Sequence, residues 1–156
     1  MAVLEGEYEP SSWGWVRKQV EKYEATGGRE ANLLQNRPAW PIVVITSRGA
    51  KSGMLRKNPV MRVEKDGAYA AVASKGGEPK HPVWYFNFLA HPVVQLQDGP
   101  QPHLYRARLA EGEEREEWWE RAVAQYKPYA SYQLKTNRQI PVFLLERIEN
   151  DEAESA

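Results

Sequence analysis

Cysteine is absent from the 156 residues, which excludes disulfide bonds, thiolate zinc sites and cysteine nucleophiles together. The three histidines, His81, His91 and His103, share no short ligand spacing, so no metal centre is expected. No apolar run approaches the ~20 residues that a membrane-spanning helix needs, and no basic-apolar-small cleavage pattern opens the chain. A cytoplasmic protein is therefore expected. The turn Gly49-Ala50-Lys51-Ser52 lacks the glycine spacing of a nucleotide P-loop, and neither a dinucleotide fingerprint nor a nucleophile elbow occurs. Net charge is also lacking, with 21 basic residues against 21 acidic ones, so a nucleic-acid partner is not expected.

What is present is one domain, spanning 1–156, of ordinary globular composition: 42% hydrophobic and 27% charged. Its charges are unevenly placed. Between Arg48 and Lys80 stand eight basic residues and three acidic ones, whereas Glu111 to Glu120 holds six glutamates and one arginine. The acidic stretch reads as a solvated helix face. The basic stretch coincides with glycine turns, and turns that present backbone N–H groups beside ammonium groups hold anions.

Apolar Trp13, Val16, Val20 and Tyr23 recur at helical spacing, predicting an amphipathic helix over about 11–26, begun by a serine cap and ended at Gly27-Gly28. Three roles are open to its stripe: packing on the barrel, covering a pocket, or peripheral contact with a membrane. Pro41 to Thr46 is a continuous β-branched run, the pattern of a strand buried on both faces. Leu55 to Glu64 and Ala68 to Ser74 read as a hairpin around Asp66-Gly67, which places the two glycine turns at one end of the sheet. A short helix over Pro82 to Ala90, strands over Val93 to Gln97 and His103 to Leu109, an acidic helix over Glu111 to Lys127 and a closing strand over Ile140 to Ile148 follow. Residues 149–156 read as a disordered polar tail. Six or so mainly antiparallel strands with two or three helices give an α+β domain on a closed or nearly closed barrel.

Two segments carry the chemistry. The first is Arg48-Gly49-Ala50-Lys51-Ser52-Gly53 with Arg56-Lys57-Asn58-Pro59 behind it; the second is Ala73-Ser74-Lys75-Gly76-Gly77, followed by Pro82-Val83-Trp84-Tyr85-Phe86-Asn87. An anion clamp beside an aromatic cluster suits a flavin-like cofactor, whose ring wants apolar walls and whose phosphate wants donors and cations. In order and in kind these segments, over about residues 42–148, resemble the deazaflavin (F420)-dependent nitroreductase and quinone reductase family, which has the FMN-binding split β-barrel fold.

The resemblance implies an oxidoreductase that uses reduced coenzyme F420 to pass a hydride to an electron-poor acceptor: a quinone, an enone or a nitro compound. It assigns Lys51, Ser52, Arg56 and Lys57 to the cofactor's phosphate and tail, and Asn58 and Pro59 to the start of the ring pocket; where the family carries a further basic residue this chain has Ala50, and Arg48 or Lys57 is the candidate cation in its place. Ala73, Ser74, Lys75, Gly76 and Gly77 would run along the ring, with Trp84 and Asn87 lining the same pocket. Ser74 and the hydroxyls of Tyr126, Tyr129 and Tyr132 are the candidate catalytic donors to the anion formed on the acceptor. An FMN-dependent oxidoreductase on the same barrel and a non-catalytic deazaflavin carrier stand as alternatives, and the oligomeric state is left open.

Overall fold

In the computed structural model, which describes residues 4–148, the run Ile42-Val43-Val44-Ile45 is buried on both faces, as its lack of alternation predicts. Ile42 and Val44 face a core with Val20, Tyr23, Trp118 and Ala122. Val43 and Ile45 face a second core with Phe88, Phe143 and Leu145. This strand, β1 (Ile42–Arg48), belongs to a seven-stranded sheet with β2 (Leu55–Met61), β3 (Glu64–Lys65), β4 (Ala68–Val72), β5 (Val93–Gln97), β6 (Pro102–Leu109) and β7 (Val142–Arg147). The order is β2-β1-β5-β6-β7-β4-β3, with every pairing antiparallel. The sheet curls into a half-barrel, an open form of the expected barrel.

Among the described residues four α-helices surround it: α1 (Gly14–Thr26), α2 (Val83–Ala90), α3 (Gly112–Gln125) and α4 (Pro128–Leu134). Helix α1 ends as expected, with Gly27 left-handed at φ 62° and the Gly28 N–H bonded to the Tyr23 carbonyl at 2.9 Å. Its start differs from expectation. Trp13, not a serine, precedes the first turn, and the Ser11 hydroxyl accepts from the Trp13 N–H instead. Trp13 itself is 66% exposed, so the buried part of the stripe begins after it. Pro128 ends one helix by opening another, because a proline lacks only the N–H that a first helical turn leaves unbonded. The seven residues after that break are too few to show a helical period, so α4 has no sequence signature.

The expected hairpin over Leu55–Ser74 is shorter than its sequence suggests. Chain direction reverses at Asp66 (φ 53°) and Gly67 (φ 84°), the left-handed pair that Asp-Gly favours, but only the two-residue β3 pairs with β4. Strand β2 pairs with β1, from Ile42 opposite Met61 to Arg48 opposite Leu55. The break comes at Arg62: its N–H bonds to the Pro41 carbonyl, and its Nε donates to Asp98 at 2.8 Å. The Tyr69 hydroxyl donates to the same Asp98 oxygen at 2.6 Å. This latch joins the chain between β2 and β3, strand β4 and the β5–β6 turn at one end of the strands. The two glycine turns lie at the other end, as expected, because β1 runs into the first and β4 into the second. The tail expected over 149–156 lies outside the described residues.

Candidate functional site

The first glycine turn joins β1 to β2 and is held from within. The Gly49 N–H bonds to the Met54 carbonyl at 2.7 Å, and the Gly53 N–H to the Gly49 carbonyl at 3.0 Å. Arg48 donates to the Gly53 carbonyl at 3.0 Å and to the Glu5 carbonyl at 2.8 Å, tying the turn to the N-terminal arm. From behind, the buried Asn87 of α2 accepts the Ala50 N–H through Oδ1 at 2.9 Å. Arg48 and Asn87 thus shape the turn. Lys51 is exposed at its tip with no partner among the described residues, and the Ser52 hydroxyl accepts from the Met54 N–H.

The cations behind the turn already have partners. Arg56 meets Glu9 of the arm at 3.2 Å, and Lys57 meets Glu24 of α1 at 2.6 Å, with its ammonium 4.9 Å from the Tyr8 ring centre. Strand alternation explains the split, since successive side chains on β2 leave by opposite faces. The structure therefore brings Lys51 and Ser52 together at the tip and places Lys57 against α1. Asn58 is half-buried between Lys57 and Pro59 on β2.

The second turn follows β4. Lys75 (φ 46°), Gly76 (φ 64°) and Gly77 (φ 82°) are all left-handed, and the Gly77 N–H bonds to the Ser74 carbonyl at 2.9 Å. At Gly76 a Cβ would meet nothing within 4 Å; at Gly77 it would lie 2.5 Å from the Tyr132 carbonyl oxygen. Gly77 is thus the point where the turn presses on the backbone of α4. Ala73 is fully buried, its N–H bonded to the Pro141 carbonyl at 2.9 Å. Among the described residues the Lys75 ammonium reaches only the exposed Glu78, at 3.5 Å.

Beside this turn opens a cavity of about 490 Å³. Ser74, Lys75 and Gly76 form one wall and Pro59, Val60 and Met61 of β2 another, with Trp84 and Pro82 beside them. Tyr126, Tyr129 and Tyr132 complete it. Their rings pack edge to face, with centres 4.9 Å apart for Tyr126 and Tyr129 and 6.3 Å for Tyr129 and Tyr132. The Tyr126 and Tyr132 hydroxyls share a hydrogen bond of 3.0 Å. Burial, then the bond to Tyr132, raises the pKa of Tyr126, and burial raises that of Tyr129. Both stay protonated at neutral pH and can donate. The tyrosines are at once core packing and cavity wall, two roles that the sequence had set against each other.

Three further contributors are not among the candidate site residues, although pocket covering is one of the roles the sequence leaves open to α1. Trp15 of α1 and Leu34 line the cavity, so α1 both packs on the sheet through Val20 and Tyr23 and covers the pocket's edge. Arg138, in the loop before β7, donates to the carbonyls of Ala73 (3.1 Å), Ser74 (2.7 Å) and Glu78 (3.0 Å) and to His81 Nδ1 (3.1 Å). A lone arginine among polar residues reads as a solvated charge.

The residues fit a flat, anionic cofactor. The cavity has apolar walls, Gly76 leaves one face open, and an unpaired lysine stands on the glycine turn at the same end of the sheet. Among the described residues no helix is long and apolar enough to cross a membrane, and no histidine or acidic cluster could hold a metal.

The model of the F420H2-dependent quinone reductase family matches residues 15–147. An F420H2-dependent quinone reductase of Mycobacterium tuberculosis is 31% identical over 128 residues, covering 80% of this chain and 85% of its own. A solved F420-H2-dependent reductase is 60% identical with a TM-score of 0.65, over 68% of this chain and 94% of that one. A structure described as a domain-swapped dimer is 52% identical with a TM-score of 0.67, over 87% of this chain and all of the other. The family is defined by reduction with F420H2, which favours neither the FMN alternative nor a carrier without catalysis. The chain belongs to the F420H2-dependent quinone reductase family.

Proposed function

We propose that this protein reduces a quinone or a comparable electron-poor acceptor with F420H2, and that the cavity between the second glycine turn and the three tyrosines is where the reaction occurs. The observation that carries this reading is the juxtaposition itself: Ser74 and Gly76 form one wall of a cavity whose other side is built from phenols held in their donor form. When bound, reduced coenzyme F420 supplies the hydride.

The protein's own part is binding, orientation and charge. The Lys51 ammonium and the Lys51 and Ser52 N–H groups, the donors of the first turn without a partner among the described residues, receive the anionic end of the coenzyme, while Arg56 can join them by leaving Glu9, from which exposed water screens it. Pro59 and Trp84 give the ring apolar walls, and the left-handed Gly76 lets backbone approach it without a Cβ between. Burial of Tyr126 and Tyr129 excludes water from the acceptor's side. The shared Tyr126–Tyr132 bond leaves one of those two phenolic protons directed at its neighbour and the other available to a substrate oxygen that gains charge. The Ser74 hydroxyl, which has no partner among the described residues, is a second donor. Lys57 seats α1 in this account and takes no part in cofactor binding.

The deciding experiment is steady-state turnover of the purified protein with F420H2 and a soluble quinone. Oxidation of F420H2 that requires both protein and quinone is expected; binding without turnover would return the protein to the carrier reading. Peripheral membrane contact would use the exposed Trp13, and co-sedimentation with anionic vesicles, lost in Trp13→Ala, tests it.

A further inference from the structure

Arg138 makes more hydrogen bonds than any other side chain near the cavity, and it makes them all to one short stretch. Its Nη2 donates to the Ser74 carbonyl, Nη1 to the Ala73 carbonyl and to His81 Nδ1, and Nε to the Glu78 carbonyl. Three of these acceptors bracket the left-handed run Lys75-Gly76-Gly77 on both sides. A left-handed non-glycine residue such as Lys75 is unfavourable on its own and persists only where its surroundings over-determine it. The planar guanidinium supplies that determination, because its rigid fork can satisfy several carbonyls at once. The fourth acceptor, His81, is itself fixed by stacking on Tyr85, with ring centres 3.9 Å apart.

We infer that Arg138 is a positioning residue for the cofactor: it holds the second glycine turn in the binding-competent conformation from behind, without reaching the cavity's contents. The inference rests on the reading of that turn as a cofactor wall. Without the guanidinium, the Ala73 and Glu78 carbonyls lose their donor, the Ser74 carbonyl keeps only the Gly77 N–H, and the turn is free to leave the left-handed conformation. Only the competent fraction then binds, and the apparent dissociation constant rises by the inverse of that fraction. Once the coenzyme is bound the turn is ordered again, so the chemical step is little affected.

Arg115 offers the matched control. Arg115 is buried and lines, together with the half-buried Arg138, a polar cleft on the outer side of the turn from the cavity; it donates to the Ile140 carbonyl at 2.7 Å and pairs with Glu116 at 3.0 Å, with no bond to either glycine turn. The test compares the wild-type chain with Arg138→Met, Arg138→Lys and Arg115→Met. Each is titrated with coenzyme F420 by fluorescence, melted, and assayed with F420H2 and a soluble quinone.

The expected result is a dissociation constant and cofactor KM for Arg138→Met about tenfold above wild type, corresponding to a competent fraction near a tenth. Its kcat at saturating cofactor should stay within about twofold, because only binding is impaired. Arg138→Lys, which can satisfy fewer carbonyls, should fall between the two. Arg115→Met should lose thermal stability yet bind as wild type. Wild-type affinity in both Arg138 variants overturns the inference, and so does an equal loss of affinity in Arg115→Met, which would mark a general loosening. Should Arg138→Met not fold, Arg138→Lys decides alone, wild-type affinity counting against the inference. A wild-type protein that binds no coenzyme overturns the cofactor reading beneath it, and this inference with it.

Discussion

The hydroxyls of Tyr126 and Tyr132 lie 3.0 Å apart across the corner between α3 and α4, sharing one hydrogen bond at the cavity wall. If they act as a unit on the acceptor, Tyr126→Phe and Tyr132→Phe should each lower kcat by about five- to a hundredfold, the loss of one donor to a developing anion. The double variant should fall little further, since partners in one bond are not additive. Cofactor affinity should barely change. Three wild-type rate profiles accompanied by lower melting temperatures would confine the pair to packing.

Lys51 and Lys57 should separate cleanly. Lys51→Ala is expected to weaken coenzyme binding by about tenfold or more, as loss of one charge-assisted contact does. The effect should shrink with added salt, because the site is exposed. Lys57→Ala instead removes the partner of Glu24 and should act on α1, lowering stability by about 1 kcal/mol for a half-buried pair still screened in part by water. Binding titrations and melts on both variants check the split; a Lys57 variant that binds poorly at full stability would return that residue to the clamp.

The two glycines of the second turn should also differ. Gly76→Ala places a methyl group in open space and meets only the left-handed penalty of about 1–2 kcal/mol. Gly77→Ala adds a clash with the Tyr132 carbonyl to the same penalty, so the turn and α4 must move apart. Gly77→Ala should therefore cost more stability and disturb acceptor kinetics as well. Equal melting temperatures for the two variants would contradict the close approach.

Stability should fall as the solution becomes mildly acidic. Burial, then the charge of Arg138, lowers the pKa of His81, and burial with Arg147 lowers that of His103. The unfolded chain takes up a proton near the ordinary value of about 6.5, while the folded chain resists it. The contribution is complete above that value and is lost as pH falls through the folded pKa. Melting temperature should decline from neutral pH towards pH 5, less steeply in His81→Gln. A variant as pH-sensitive as wild type would remove His81 from the account.

Much of this was legible because it is local. The β-branched run at Ile42–Ile45, the Asp66-Gly67 turn and the Gly27 helix end each declare themselves within a few residues. The cavity residues Ser74, Trp84 and Tyr126 are legible through the family resemblance of their segments rather than through any local pattern. What was not legible depends on distant partners. Arg138 lies more than fifty residues from most of what it holds, and nothing in Thr136-Asn137-Arg138-Gln139 foretells three carbonyls. Lys57 looked like Arg56 in sequence, but strand alternation sends it to α1, a distinction set by pairing with β1. The Leu55–Glu64 run reads as one strand because it has no glycine or proline where Arg62 breaks it.

The Asp98 latch separates what must stay fixed from what is free to diversify. With Arg62, Tyr69 and the β5–β6 turn joined through Asp98, the end of the half-barrel remote from the cavity is pinned by bonds that use no residue of the glycine turns. The exposed Trp15 and Lys75, at the cavity's edge, stand on a scaffold that does not depend on them. Acceptor preference can thus be re-engineered at those positions with little risk to folding, whereas a change at Asp98, remote from the cavity, would endanger every activity the frame could support.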